Sequence, residues 1–118
     1  MSADKIIVYH NPRCSKSREA IELLRSEGYS PEIVEYLKTP LNESQLTDLI
    51  HKLGISPEQL VRKKEELFKN NFSNKKYTDK EWIRILSENP ILIERPVVEN
   101  SEKAVVARPA EKISEIFR

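Results

Sequence analysis

The chain has 118 residues, and its 20 Lys and Arg against 19 Asp and Glu leave a formal net charge of +1. That length suits one domain with one core, and so even a charge balance gives no whole-molecule attraction to nucleic acid or to anionic membranes. A single cysteine excludes an internal disulfide framework, and no apolar run approaches the ~18–20 residues of a membrane span.

The start, "MSADKIIVYH", lacks the apolar stretch of a signal peptide, so the cytoplasm is the expected compartment. Within it "KIIVY" is a β-branched and aromatic run bounded by Asn11 and Pro12, which predicts a buried strand entering a turn. From Ser15 the small and apolar residues Ser17, Ala20, Ile21 and Leu24 recur at helical spacing, and Gly28 offers the left-handed position that closes a helix. A second strand is expected around Glu32 to Tyr36, ended by Thr39 and Pro40. The chain thus opens as β-α-β.

A helical block follows. Leu46, Leu49, Ile50 and Leu53 fall at i, i+3, i+4 and i+7 behind Asn42 and Gln45, which form a capping-box pair, and Gly54 closes the helix. Ser56, Pro57 and Gln59 announce a short helix, and "FKNNFSNKKY" has too little periodicity to predict more than a loop. Thr78 and Glu81 cap a further helix carrying Trp82, Ile85 and Leu86, stopped at Asn89 and Pro90; Trp82 with the "FKNNF" aromatics offers a protein-binding patch, while the amphipathic spacing favours Trp82 as a core residue. Next, "ILIERPVV" and "KAVVA" read as two strands joined by "ENSE" into a hairpin, and Pro109 starts a last helix with Ile113, Ile116 and Phe117 turned inward. The order predicts an α/β fold, a mixed sheet flanked by helices, with residues 42–89 as a helical insertion in a single domain spanning 1–118.

The chemistry concentrates in "YHNPRCSKSREA". Cys14 falls at a strand-to-helix junction, where the first free N–H groups of the helix and its dipole favour an anion. A free thiol has a pKa of roughly 8.5, so a nucleophilic cysteine needs such help. Arg13, Lys16, Arg18 and His10 make the window basic, with no acid between Lys5 and Glu19, while Ser15 and Ser17 add hydroxyl donors. A turn of this kind can bind an oxyanion and depress the thiol pKa together. Arg18 and Lys16 lie in the first helical turn, where a cation opposes the dipole and asks for a compensating anion. Neither His51 nor His10 has the companions of a zinc site, so no metal is expected.

Two other stretches share a pattern: "ERPVV" and "ARPAE" each set an arginine before a proline. The pre-proline position restricts the backbone, and a guanidinium matches a tetrahedral oxyanion with paired hydrogen bonds. Arg62, in "VRKKEEL", adjoins an apolar pair and by spacing alone is a solvated charge.

Together "YHNPRCSKSREA", "LVRKK", "ILIERPVV" and "ARPAEKI", in this order and spacing, closely resemble the glutaredoxin-coupled arsenate reductase (ArsC) family over nearly the whole chain. The resemblance implies a thioredoxin-like fold with a mixed four-stranded sheet. It makes Cys14 the nucleophile, with His10 and Ser17 beside it, and assigns the oxyanion to Arg62, Arg95 and Arg108, with Ser15 and Lys16 in the same pocket. Pro96 would be the cis proline of such folds. The implied reaction is attack of Cys14 on arsenate, with glutathione as co-substrate, glutaredoxin as partner and no bound cofactor. A monomer is expected, with no nucleic-acid or membrane partner. A second thiol supplied from outside would account for the lone cysteine. Two other readings share the scaffold: a glutathione-dependent thiol-disulfide reductase, and an Spx-like regulator that binds RNA polymerase. The latter's CxxC switch is CxxS here, from Cys14 to Ser17.

Overall fold

A computed structural model describes residues 5–117. The first residues of the N-terminal stretch on which the compartment was judged, 1–4, lie outside that range, as does position 118 at the end of the expected domain. The chain divides into two compact units, one formed by residues up to Thr39 together with those from Arg95 onward, the other by Pro40–Glu94. The helical block expected over 42–89 falls inside the second.

The first unit is built on a four-stranded sheet in the order β2-β1-β3-β4, from strands β1 (Ile7–Tyr9), β2 (Glu32–Val34), β3 (Val97–Glu99) and β4 (Ala104–Val106). β1 runs parallel to β2 and antiparallel to β3, and β3 runs antiparallel to β4. The parallel pair requires a crossover, which helix α1 (Ser15–Ser26) supplies. Its buried stripe is Ser17, Ala20, Ile21 and Leu24, as the spacing predicts. Leu24, Val8 and Val98 are fully buried in one cluster with Ile113 and Ile116, so truncating Leu24 to Ala costs about 2–5 kcal/mol.

Two expectations fail here. "ILIE" does not extend a strand: Pro90–Leu92 is a 3-10 turn, Ile93 makes only an isolated bridge, and the ladder of the sheet begins at Val97, after Pro96 interrupts the run. The closing helix, Ala110–Phe117, is of 3-10 type and buries Ile113 and Ile116, but Phe117 is exposed and stacks on Tyr29 with ring centroids 4.9 Å apart. A tighter helix has three residues per turn, so a set chosen for the α period drifts off the inner face.

The second unit packs helices α2 (Glu43–Leu53), α3 (Glu66–Asn71) and α4 (Asp79–Glu88) with 3-10 turns at Pro57–Leu60 and Pro90–Leu92. Leu46, Leu60, Leu86 and Leu92 are completely buried. Both capping boxes form: Asn42 with Gln45 before α2, and Thr78 with Glu81 before α4. Gly54 adopts φ 68°, the left-handed closure that favours glycine. α3 corrects the expected loop. It has no fully buried residue, and its rings Phe68 and, just after it, Phe72 pack on Trp82, so tertiary contact rather than periodicity holds it. Among the described residues no helix is long and apolar enough to cross a membrane.

Candidate functional site

The loop before α1 is folded by Asn11. Its carbonyl accepts the Cys14 N–H at 2.9 Å, its side-chain oxygen accepts the Arg13 N–H at 3.0 Å, and its own N–H donates to Ser17 Oγ at 3.3 Å. These bonds make a tight turn with Asn11 buried inside it, so that Cys14 becomes the extended residue preceding α1. Arg18 returns to the same turn and donates to the Pro12 carbonyl at 2.8 Å. That carbonyl is what offsets a cation placed in the first helical turn. Asn11 was missed as a site residue by sequence reasoning, although the Asn-Pro pair marked a turn.

Cys14 is a free cysteine, 9% exposed. No side-chain hydrogen bond closes the N-terminus of α1, and its first turn holds no acid. The open N–H groups act on the sulfur instead. Burial pushes the thiol pKa up, but the Ser17 N–H, the Arg95 side chain, the Lys16 N–H and the Ser17 hydroxyl outweigh it and hold the thiol below its ordinary value. Ser17 is fully buried. Since its oxygen already accepts from Asn11, its own proton is left to point at the sulfur.

Arg95 reaches the thiol because the β3-β4 hairpin places the two Arg-Pro elements side by side. Val97 pairs with Val106, the Ala107 N–H donates to the Pro96 carbonyl at 2.9 Å, and Arg108 Nη1 donates to the Arg95 carbonyl at 3.1 Å. Both arginines are half-buried, Pro96 is buried, and the Arg95–Pro96 and Arg108–Pro109 peptide bonds are both cis. Cys14, Ser17, Arg95 and Arg108 therefore form one group within the first unit.

The other expected residues are placed differently. Lys16 contributes its N–H, while its ammonium lies 3.8 Å from Glu19; Ser15 is exposed on the first turn. His10 ends the sheet edge of the loop, its N–H donating to the Val34 carbonyl at 2.9 Å. Its Nδ1 is enclosed without a hydrogen-bond partner. Burial lowers its pKa, Glu35 opposes this and Arg18 reinforces it, so the imidazole is neutral at pH 7. Glu35, across the parallel pair, carries no local signal that ties it to His10. Arg62 belongs to the second unit, where its Nε donates to Glu65 at 3.0 Å and its Nη1 lies 3.9 Å from Glu94. Its backbone N–H donates to Leu92, beside the antiparallel bridge between Val61 and Ile93.

A mixed four-stranded sheet with a cysteine at the start of its first helix defines the architecture of a thioredoxin-like protein. Comparison with known proteins narrows this: the model of the ArsC family matches residues 9–116, and the chain belongs to that family. It is 42% identical over 95% of its length to the arsenate reductase of Haemophilus influenzae, covering 98% of that protein, and 38% identical to the arsenate reductase of Escherichia coli K12, covering 80% of it. It is also 43% identical over 95% of its length to the uncharacterized protein YfgD of Escherichia coli K12, covering 96% of it. Among solved structures, the arsenate reductase from Vibrio cholerae superposes with a TM-score of 0.92 at 38% identity, over 98% of this chain and 99% of that one.

Proposed function

We propose that this chain is an arsenate reductase using Cys14 as its nucleophile. The single observation that carries the proposal is a lone cysteine whose thiolate is favoured by the open N-terminus of α1 and by Arg95, with Arg108 alongside. The names of its relatives supply the substrate. The Cys14 thiolate attacks arsenic(V), a protonated arsenate oxygen leaves as water, and a thiol–arsenate adduct forms. Glutathione then attacks the Cys14 sulfur. The sulfur–arsenic bond breaks with its electron pair passing to arsenic, which leaves as arsenite, and a Cys14–glutathione disulfide remains. Glutaredoxin reduces that disulfide and restores the thiol, so two thiols supply the two electrons.

Arg95 and Arg108 neutralise the oxyanion as charge builds on it, and Ser17 orients the sulfur. Lys16 serves through its N–H and Ser15 through its exposed hydroxyl. Arg62 is carried over to oxyanion binding on the resemblance alone. His10, neutral at pH 7, acts as a hydrogen-bonding group rather than a charge. The setting we propose is a monomer in the reducing cytoplasm, where glutathione is abundant.

The test is arsenite production by the purified chain with arsenate, glutathione and glutaredoxin. Wild type should turn over, Cys14→Ser should show none, and Arg95→Ala with Arg108→Ala should lose on the order of a hundredfold in kcat/KM, as removal of oxyanion donors does. Wild-type turnover no higher than that of Cys14→Ser would sink the assignment. Thiol-disulfide exchange that survives loss of both arginines, without arsenate turnover in wild type, would favour the thiol-disulfide reductase instead.

A further inference from the structure

The second unit holds a cavity that the chemistry above does not use. It has a volume of about 360 Å³, within the range of roughly 300–1,000 Å³ typical of small-molecule sites. Its lining combines the rings of Phe68, Phe72, Tyr77 and Trp82 with Lys75 and Lys76. The rings do not close into a sealed core. Tyr77 meets Trp82 edge-on at 4.8 Å and Phe72 at 5.9 Å, yet Phe68, Phe72 and Tyr77 all keep part of their surface exposed.

The charged side chains that line the cavity are Lys63, Lys75 and Lys76 against the single acid Glu58, an excess of cations. Residues 62–80 carry seven Lys and Arg against three Asp and Glu, a net +4 in a chain of +1. Lys63 is matched by Glu58 at 2.8 Å, but neither Lys75 nor Lys76 has a carboxylate within ion-pair distance among the described residues. Lys75 Nζ stands 5.3 Å from the Tyr77 ring centroid, so a cation and an aromatic face address the same space. An aromatic cage alone would suit a cation, but the lysines repel one. An inorganic anion would leave the rings idle. What fits both halves is a flat ring joined to an anion a few ångströms away.

From these observations we propose that this cavity binds a nucleoside monophosphate, the base stacking on the Phe72 ring, to which the Tyr77 ring stands edge-on, and the phosphate paired with Lys75 and Lys76. The volume holds one such unit, which favours a free nucleotide over a strand of nucleic acid. The site lies wholly within Pro40–Glu94, and the proposal is independent of the reaction at Cys14.

Trp82 is the only tryptophan and lines the cavity, so its emission reports occupancy. Titrating the full chain with adenosine monophosphate should change that emission saturably. Adenosine and inorganic phosphate, each alone, should bind at least about tenfold more weakly, the scale of a charge-assisted pair or a stacked base. Lys75→Gln with Lys76→Gln, both exposed and so harmless to folding, should weaken the nucleotide by about tenfold or more while leaving arsenate turnover unchanged. An emission that does not saturate, an affinity equal for adenosine and its monophosphate, or a double variant that binds like wild type would each overturn the proposal. A short single-stranded oligonucleotide that binds far more tightly than the mononucleotide would overturn the free-nucleotide source in favour of nucleic acid.

Discussion

The N-termini of α1 and α4 solve one problem in opposite ways. Every helix begins with N–H groups that have no partner within it. α4 satisfies two donors with side-chain oxygens: Thr78 Oγ1 accepts the Glu81 N–H at 3.1 Å, and Glu81 returns the bond to the Thr78 N–H at 2.8 Å. Asp79 and Glu81 also supply the acids that suit the positive end of the dipole. α1 has neither an oxygen cap nor an acid in its first turn. Its cap position is filled by a sulfur that becomes a good acceptor only when it loses its proton. The first arrangement maximises stability. The second leaves an electrostatic demand unmet until a thiolate or an oxyanion meets it, which is the condition that lowers the thiol pKa.

Converting α1 into a helix of the α4 kind should break the contrast most completely. Cys14→Asp places a permanent carboxylate where the Lys16 and Ser17 N–H groups and Arg95 converge. The variant should gain about 1 kcal/mol of unfolding free energy in urea, the scale of an N-cap, while losing all thiol alkylation and all arsenate turnover. If stability does not rise, the helix terminus was already satisfied and the explanation of the lowered thiol pKa is wrong.

A smaller change should sharpen the contrast rather than abolish it. Ser17→Ala removes the hydroxyl between Asn11 and the sulfur, at a completely buried position. Loss of one hydrogen bond worth about 0.5–1.5 kcal/mol should slow iodoacetamide alkylation of Cys14 near pH 7 by about two- to tenfold, and move the midpoint of its pH profile upward. The sign follows from linkage. A thiol held below its ordinary value contributes stability that is fully present above the unfolded thiol's pKa of roughly 8.5, and that is lost as pH falls through the folded one. Weakening the thiolate's partners narrows that window from its lower edge. An unchanged alkylation profile would remove Ser17 from the site.

How much of this was legible in the sequence divides along the same line. α2 and α4 announce themselves because cap, stripe and stop are all local: Asn42 to Gly54 and Thr78 to Asn89 each carry a start, a period and an end. The strand-to-helix junction at Cys14 was equally local, as was the basic company around it. The contact between Cys14 and Arg95 was not. Those residues are far apart in sequence and meet through a sheet whose order no local pattern encodes, so only the family resemblance brought them together. α3 hid for a related reason, since its rings find their partner in Trp82 rather than in one another's helical spacing. Phe117 was misread because the closing helix is wound more tightly than its sequence period suggests.

The smallest expected effect concerns α4 and serves as the control for the whole comparison. Thr78→Ala removes the oxygen that accepts the Glu81 N–H and should cost about 1 kcal/mol in urea unfolding. It should leave the alkylation profile of Cys14 where it was, because an oxygen cap stabilises its helix without tuning a thiol. The cap also predicts a pH signature. The Thr78 N–H, opposed by slight desolvation and joined by the Thr78 hydroxyl and Lys75, holds the Glu81 carboxyl below its ordinary value. Its stabilisation is therefore present above the unfolded carboxyl's pKa of about 4.3 and disappears as pH falls through the folded one. The difference in stability between wild type and Thr78→Ala should shrink over that acidic interval and stay constant from pH 5 to 7. A difference that instead followed the thiol titration would mean that the two helix termini are coupled, and that reactivity at Cys14 draws on more than its own open turn.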